Sequence, residues 1–208
     1  MSTEPSPSRA AAPTRDPGLA GERYTIRKRV LSVLGSSIEV FDERQNMIGF
    51  CRQKAFRLRE SLTLYTDETK AKVVLTIQTR QIIDFGLTFE VRLADGALIG
   101  SLRRKGFRSI VRDEWHVLDP SGEQIGIMLE ESSNLALLRR FIDLIAFIIP
   151  QVYNVADMSG RAIASLRTHR HLLVHKLGVT IHEQDAQIDD LMILALGCLL
   201  LAVEGREG

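Results

Sequence analysis

One stretch near the end of the chain constrains its fold more than any other segment. Residues 191–203, LMILALGCLLLAV, contain no polar side chain, so a helix there is apolar on every side. Such a helix has to be surrounded by protein or by lipid. Its 13 residues rise about 20 Å, which is short of the roughly 30 Å hydrocarbon core of a membrane. We therefore expect the rest of the chain to enclose it.

Composition and charge limit the class of protein. Of the 208 residues, 45% are hydrophobic and 25% are charged, which fits an ordinary globular domain. We predict a disordered tail over residues 1–22, which hold four of the six prolines, and one domain over residues 23–206. The formal net charge of +1 gives no overall preference for nucleic acid or acidic membranes.

The cysteines and the N-terminus indicate a reducing compartment. Cys51 and Cys198 cannot form a disulfide framework, and Cys198 lies within the apolar run, where a packed and inert thiol is expected. The first residues lack the basic-then-apolar pattern of a secretory signal. We expect a cytoplasmic protein, either free or peripheral at the inner face of a membrane.

A recurring unit predicts β-hairpins. Each copy is an alternating strand, an Asp-led turn that usually carries Gly, and a return strand with Ile near its start. The copies lie at 37–50, 89–103, 115–128 and 152–167. The Asp carboxylate caps its own turn, and Gly accepts the positive φ that such turns require. Because the Ile residues are 51, 26 and 38 residues apart, a regular solenoid or propeller is excluded.

These elements together predict an architecture. Further strands are predicted at 24–30, 62–65, 73–79, 172–175 and 179–182, and a helix at 133–149 that Pro150 ends. A sheet closed around the apolar helix would cover it on all sides and leave no open edge. We predict a mainly β (α+β) fold, a closed antiparallel β-barrel enclosing the hydrophobic C-terminal helix. The alternative is an α+β layer with that helix inserted in a membrane.

These motifs resemble those of a known family, the tubby C-terminal-like superfamily, in its branch of LURP-one-related proteins and phospholipid scramblases. The matching stretches are YTIRKRVLS at 24–32, KAFRLRE at 54–60, LLRRF at 137–141, the D-x-x-G-x-x-I-G hairpins, and an ending with DLM at 190–192 and VEGR at 203–206. The resemblance covers about residues 23–206. The resemblance implies a β-barrel around a central C-terminal helix. Members of the family are variously linked to lipid scrambling, to phosphoinositide binding, and to defence or regulatory roles.

Basic residues form the first candidate site. Arg103, Arg104, Lys105 and Arg108 follow one hairpin with no acidic residue among them, and Arg and Lys both suit a phosphate headgroup. The alternative is a solvated loop opposing the acidic run at 113–131. Arg139 and Arg140 would lie at headgroup level if the helix at 133–149 lies in a membrane interface. The alternative for that helix is a position across the barrel mouth.

Two other groups could hold a metal. The acids before the last helix, Asp185, Asp189 and Asp190, offer oxygen ligands for calcium, although helix capping explains them equally well. Scramblases carry an acidic calcium-binding loop at this place, which residues 183–190 do not clearly reproduce. His169 and His175, with His171 between them, fall on one side if that segment is extended, which could bind a metal. Ordinary strand histidines are the alternative.

The chain contains no catalytic motif such as GxSxG, HExxH or GxxxxGK[ST], and we predict that it is not an enzyme. The expected function is that of a scramblase-like module interacting with anionic phospholipid at the cytoplasmic membrane face, with no obligatory cofactor. The competing interpretation is a soluble structural or regulatory module that binds a protein partner. A nucleic-acid partner is disfavoured because the near-neutral charge gives no dominant basic face.

Overall fold

A computed structural model describes residues 21–30, 35–53, 61–80, 87–105, 114–131, 150–170 and 174–204. Within these residues the chain forms twelve strands and one helix. They are β1 (Tyr24–Val30), β2 (Ser36–Asp42), β3 (Met47–Gln53), β4 (Leu62–Tyr65), β5 (Val73–Arg80), β6 (Thr88–Leu93), β7 (Leu98–Arg104), β8 (Glu114–Leu118), β9 (Gln124–Glu130), β10 (Val152–Asp157), β11 (Ala162–Arg170), β12 (Val174–Ile181) and α1 (Asp190–Glu204).

The strands form a closed barrel in which every neighbouring pair is antiparallel. Each strand pairs with the strands before and after it in sequence, and β1 closes the barrel by pairing with β12. Closure follows from the register Tyr24↔Val179 to Arg29↔Val174. No sheet edge remains within this barrel, so the predicted fold class is confirmed.

The helix α1 fills the interior of the barrel. Four consecutive residues of a helix point to four different sides, and Ile193, Leu194, Ala195 and Leu196 are each at most 4% exposed. The helix is thus buried all round, as the absence of polar residues in 191–203 predicts. The alternative in which this helix inserts in a membrane is wrong, because the strands of the same chain surround it.

Small residues let the barrel wall approach the helix closely. A Cβ atom on Gly197 would lie 2.5 Å from Ile26 Cδ1, and one on Gly126 would lie 2.5 Å from Ile188 Cδ1. On Gly100 it would lie 2.9 Å from Met192 Cε. At Gly100 and Gly126 the glycine of the repeated Ile-Gly pair thus leaves room for Met192 of α1 and for Ile188 just before it, whereas a Cβ atom on Gly49 would meet Val40 and Leu64 of the barrel wall.

The hairpin turns are built as the sequence predicts. Asp119 Oδ1 accepts hydrogen bonds from the Glu123 N–H and the Ser121 hydroxyl, and Asp157 Oδ1 accepts from the Ser159 and Arg161 N–H groups. Gly122 has a φ of 91°, in the left-handed region that favours glycine. A fifth turn of this kind, led by Asp67, joins β4 to β5 and was not among the predicted repeats.

Both ends of α1 are capped by side chains. Asp189 Oδ1 accepts a hydrogen bond from the Met192 N–H over 2.9 Å, so Asp189 is the N-cap of the helix. At the other end, Lys28 Nζ donates to the Leu201 carbonyl over 2.6 Å from inside the barrel. The carboxylate at the positive end and the ammonium at the negative end both suit the helix dipole.

Some predictions differ from the structure or fall outside it. The two short strands predicted at 172–175 and 179–182 are one strand, β12, because Gly178 pairs with both Thr25 and Arg167 and the ladder continues through it. The predicted helix at 133–149 lies outside the described residues, as do residues 1–20 of the predicted tail. The last two tail residues are described, and Glu22 Oε1 lies 3.0 Å from His169 Nε2.

Candidate functional site

Strand direction separates the barrel into two ends. Because neighbouring strands are antiparallel and consecutive in sequence, all odd-numbered strands end on one side and all even-numbered strands on the other. The side where β2, β4, β6, β8 and β10 end carries the Asp-led turns and the start of α1, and we call it the turn end. We call the opposite side, where β1, β3, β5, β7, β9 and β11 end, the basic end.

The basic end takes its name from arginines at the strand termini. Counting only side chains that the structure describes, six basic residues lie in the last two positions of odd-numbered strands or directly after them, against three acidic residues at the same end. The basic residues are Arg29, Arg52, Arg80, Arg103, Arg104 and Lys105, and the acidic ones are Glu114, Glu130 and Glu131. Among the six odd-numbered strands, β9 is the one whose last residue is acidic, Glu130.

The predicted basic cluster lies at this end, where β7 finishes. Arg103 is exposed and its Nε donates to the Thr88 hydroxyl over 3.2 Å. The Arg104 guanidinium carbon lies 5.9 Å from the centroid of the Trp115 ring. Lys105 Nζ pairs with Glu114 Oε1 over 3.0 Å, as expected if the cluster opposes the acidic run that follows it. Among the described residues, Arg103 has no carboxylate in contact.

The structure brings three further arginines to the same end. The side chains of Arg29 and Arg80 are 54% and 69% exposed, and Arg52 is also exposed. Arg29 Nε lies 3.3 Å from Glu39 Oε1, and Arg80 Nη1 lies 3.8 Å from Glu90 Oε1. Sequence reasoning could have found these three arginines, because each lies in the last two positions of a strand that runs in the same direction as β7.

The other predicted headgroup residues cannot be placed. Arg108, Arg139 and Arg140 lie outside the described residues. Their assignment to a lipid headgroup stays a prediction.

The turn end carries the opposite charge. Its connections, 43–46, 66–72, 94–97, 119–123, 158–161 and 182–189, hold nine acidic and four basic side chains. Asp42, Asp157 and Asp190 border these connections and add three more acids. Hydrogen bonds from turn side chains, Asn46 and Ser121 respectively, lower the pKa of Asp42 and Asp119 below the usual range, so both carboxylates stay charged in mildly acidic solution.

The acids predicted to bind calcium have separate protein partners. Asp185 Oδ1 accepts from the Gln187 and Ile188 N–H groups, and those bonds lower its pKa. Asp189 caps α1. Asp190 Oδ2 accepts from the Tyr24 hydroxyl over 2.5 Å.

Arg161 lies between three acidic side chains of the turn end and pairs with each of them. The Arg161 guanidinium contacts Asp157 over 2.9 Å, Glu183 over 3.1 Å and Asp185 over 2.6 Å. Within the part of the chain that the structure describes, no three His, Cys, Asp or Glu side chains are grouped to hold a metal ion. Calcium binding at Asp185, Asp189 and Asp190 stays a prediction.

The histidines do not form the row that an extended segment would give. His169 is on β11 and His175 is on β12, two antiparallel strands, and His171 lies outside the described residues. The assumption of one continuous extended segment is wrong, because β11 ends at Arg170 and β12 begins at Val174.

Comparisons with known proteins do not assign a role to either end of the barrel. No protein-family model matches the chain, and no curated protein matches it. Among the described residues, no helix combines the length and the apolar character needed to cross a membrane.

Proposed function

We propose that the protein is a non-enzymatic, scramblase-like module that binds anionic phospholipid headgroups at the cytoplasmic face of a membrane. The observation that carries this proposal is the convergence of basic residues on one end of the barrel. Arg29, Arg52, Arg80, Arg103 and Lys105 are exposed there, and Arg104 is half-buried beside them. The similarity of the hairpins and of the last helix to the scramblase branch of the tubby-like superfamily supports it.

Phosphate chemistry explains why these residue types suit a headgroup. A guanidinium presents a planar fork of N–H donors to phosphate oxygens, and an ammonium adds a point charge. Each basic residue near an anionic leaflet contributes about 1 kcal/mol of attraction, so several residues at one end suffice for reversible binding. Attraction of this kind weakens as salt screens it.

Vesicle flotation tests the binding. The protein should float with vesicles of phosphatidylcholine and phosphatidylserine more than with phosphatidylcholine alone, and added salt should release it. Arg103→Ala/Arg104→Ala should weaken binding to the anionic vesicles about 30-fold, since two residues contribute about 1 kcal/mol each. Circular dichroism must show that this variant is folded, because Arg104 lies beside the buried Trp115 ring. Equal flotation with both vesicle types, unaffected by the substitutions, would overturn the proposal.

Lipid translocation needs a separate experiment. In reconstituted vesicles with a fluorescent lipid in one leaflet, a scramblase-like protein should accelerate redistribution of that lipid, without consuming a co-substrate. Calcium should be present in one arm and chelated in the other, which also tests the prediction for Asp185, Asp189 and Asp190. A protein that ignores vesicles altogether would favour the alternative of a soluble regulatory module with a protein partner.

A further inference from the structure

The two ends of the barrel are far enough apart to act independently on a charged surface. A seven-residue strand such as β3 extends about 23 Å, or about 18 Å along the barrel axis at the usual tilt. The Debye length at physiological salt is about 8 Å. A membrane against one end therefore barely interacts with charges at the other end.

The charges at the two ends have opposite sign, although the whole chain carries only +1. Six basic and three acidic side chains lie at the described part of the basic end, whereas the turn-end connections hold nine acidic and four basic ones. Turn hydrogen bonds keep the pKa of Asp42, Asp67 and Asp119 below the usual range. These carboxylates at the turn end therefore stay charged in mildly acidic solution.

We propose that the barrel meets an anionic bilayer end-on, with the basic end against the headgroups and the turn end directed away from the membrane. This inference rests on the proposed lipid binding and adds its orientation. It places the C-terminus of α1, where Lys28 caps the Leu201 carbonyl, at the membrane side. It places the start of the helix and the Arg161 ion pairs on the water side.

Two matched pairs of substitutions test the orientation. Arg52→Gln/Arg80→Gln removes two exposed charges from the basic end, where β3 and β5 finish. Arg44→Gln/Lys72→Gln removes two exposed charges from the turn end, just before the same two strands. Both variants lose the same net charge and both leave Arg103 and Arg104 intact. The first should weaken partitioning into phosphatidylserine-containing vesicles about 30-fold, and the second by less than about threefold.

A second measurement reports the orientation directly. Two exposed large apolar residues stand at opposite ends: Leu87, 52% exposed, precedes β6 at the basic end, and Met158, 61% exposed, follows β10 at the turn end. Leu87→Cys or Met158→Cys can each carry a fluorophore, because Cys51 and Cys198 are buried. A nitroxide quencher on the lipid headgroups should quench the fluorophore at position 87 and leave the one at position 158 bright.

The outcomes separate this inference from the proposed function. Equal losses of binding in the two charge variants, or stronger quenching at position 158 than at position 87, would overturn end-on docking while lipid binding stands. Wild-type protein that remains in solution with phosphatidylserine-containing vesicles would overturn both.

Discussion

Lys28 shows what a single residue contributes inside this barrel. It is only 6% exposed, and its ammonium donates to the Leu201 carbonyl in the last turn of α1, where helix carbonyls lack helical partners. The sequence YTIRKRV predicts a strand with alternating sides, but not that a lysine would face the interior. The reason lies in a residue 173 positions later, so only the tertiary structure reveals it.

Replacing this lysine should destabilise the fold. Lys28→Met keeps much of the apolar stem and leaves the Leu201 carbonyl without its donor, which should lower the free energy of unfolding by about 1–3 kcal/mol. Urea denaturation followed by circular dichroism measures the change. Lys72→Met, at an exposed position in the connection before β5, is the control and should change stability by less than about 0.5 kcal/mol. Equal stability of the two variants would mean that the buried bond is not important for the fold.

At the scale of elements, the Asp-led hairpin turns make the stability of the fold depend on pH. Hydrogen bonds, from the Ser159 hydroxyl above all, lower the pKa of Asp157 well below its usual range, and turn hydrogen bonds also lower that of Asp42, Asp67 and Asp119. A group whose pKa is lower in the folded than in the unfolded state stabilises the fold above its unfolded pKa, about 3.9 for Asp. That contribution disappears as pH falls through the folded pKa. Stability should therefore drop below about pH 4.

The melting temperature as a function of pH tests this linkage. In the wild type it should fall steeply between about pH 4 and pH 2, and Asp157→Asn should have a shallower fall because position 157 no longer takes up a proton. Glu43→Gln, in the turn after β2, is a control that should keep the wild-type slope. Parallel curves for the wild type and Asp157→Asn would contradict the role of this turn.

The helix α1 is the element on which the barrel depends. Leu196 lies near the middle of this helix and is 1% exposed. Leu196→Asp would therefore bury a charge without a partner. The cost of several kcal/mol is comparable with the whole free energy of unfolding of a domain. We expect the variant to lose its β-sheet circular dichroism signal and to aggregate or elute as an expanded chain. Met158→Asp, at a position that is 61% exposed, is the control and should remain folded. A folded Leu196→Asp protein would show that the barrel is stable without a packed helix.

At the scale of the whole molecule, the barrel could be predicted but its polarity was not. Residues 191–203 require enclosure and the Asp-led hairpins supply the strands, so closure follows from the sequence. The net charge of +1 does not reveal that basic and acidic residues lie at opposite ends of the barrel, because a sum over the chain contains no information about position. Only strand order shows that Arg52 and Arg80 share one end while Asp42 and Asp119 share the other. The convergence of Arg161 on three acids also depends on folding, since Glu183 and Asp185 lie more than 20 residues away in sequence.

A polarised molecule should behave differently from a uniformly charged one even without lipid. At a pH near the sequence pI of about 7.9 the net charge is close to zero, and a protein with evenly mixed charges would bind weakly to any ion exchanger. Because the two ends lie about 18 Å apart, the charges of the end that contacts a resin are much nearer to it than those of the other end, so each end should bind a resin of opposite charge. We expect the wild type to be retained at low salt on both cation and anion exchangers.

The matched variants sharpen this last test. Arg52→Gln/Arg80→Gln should elute from the cation exchanger at markedly lower salt, whereas Arg44→Gln/Lys72→Gln should mainly bind the anion exchanger more tightly, because it removes positive charge from the acidic end. Both pairs lower the net charge equally, so a uniform charge distribution predicts identical shifts for the two variants on both resins. Identical shifts would therefore contradict the polarity itself, and with it the physical basis for end-on docking.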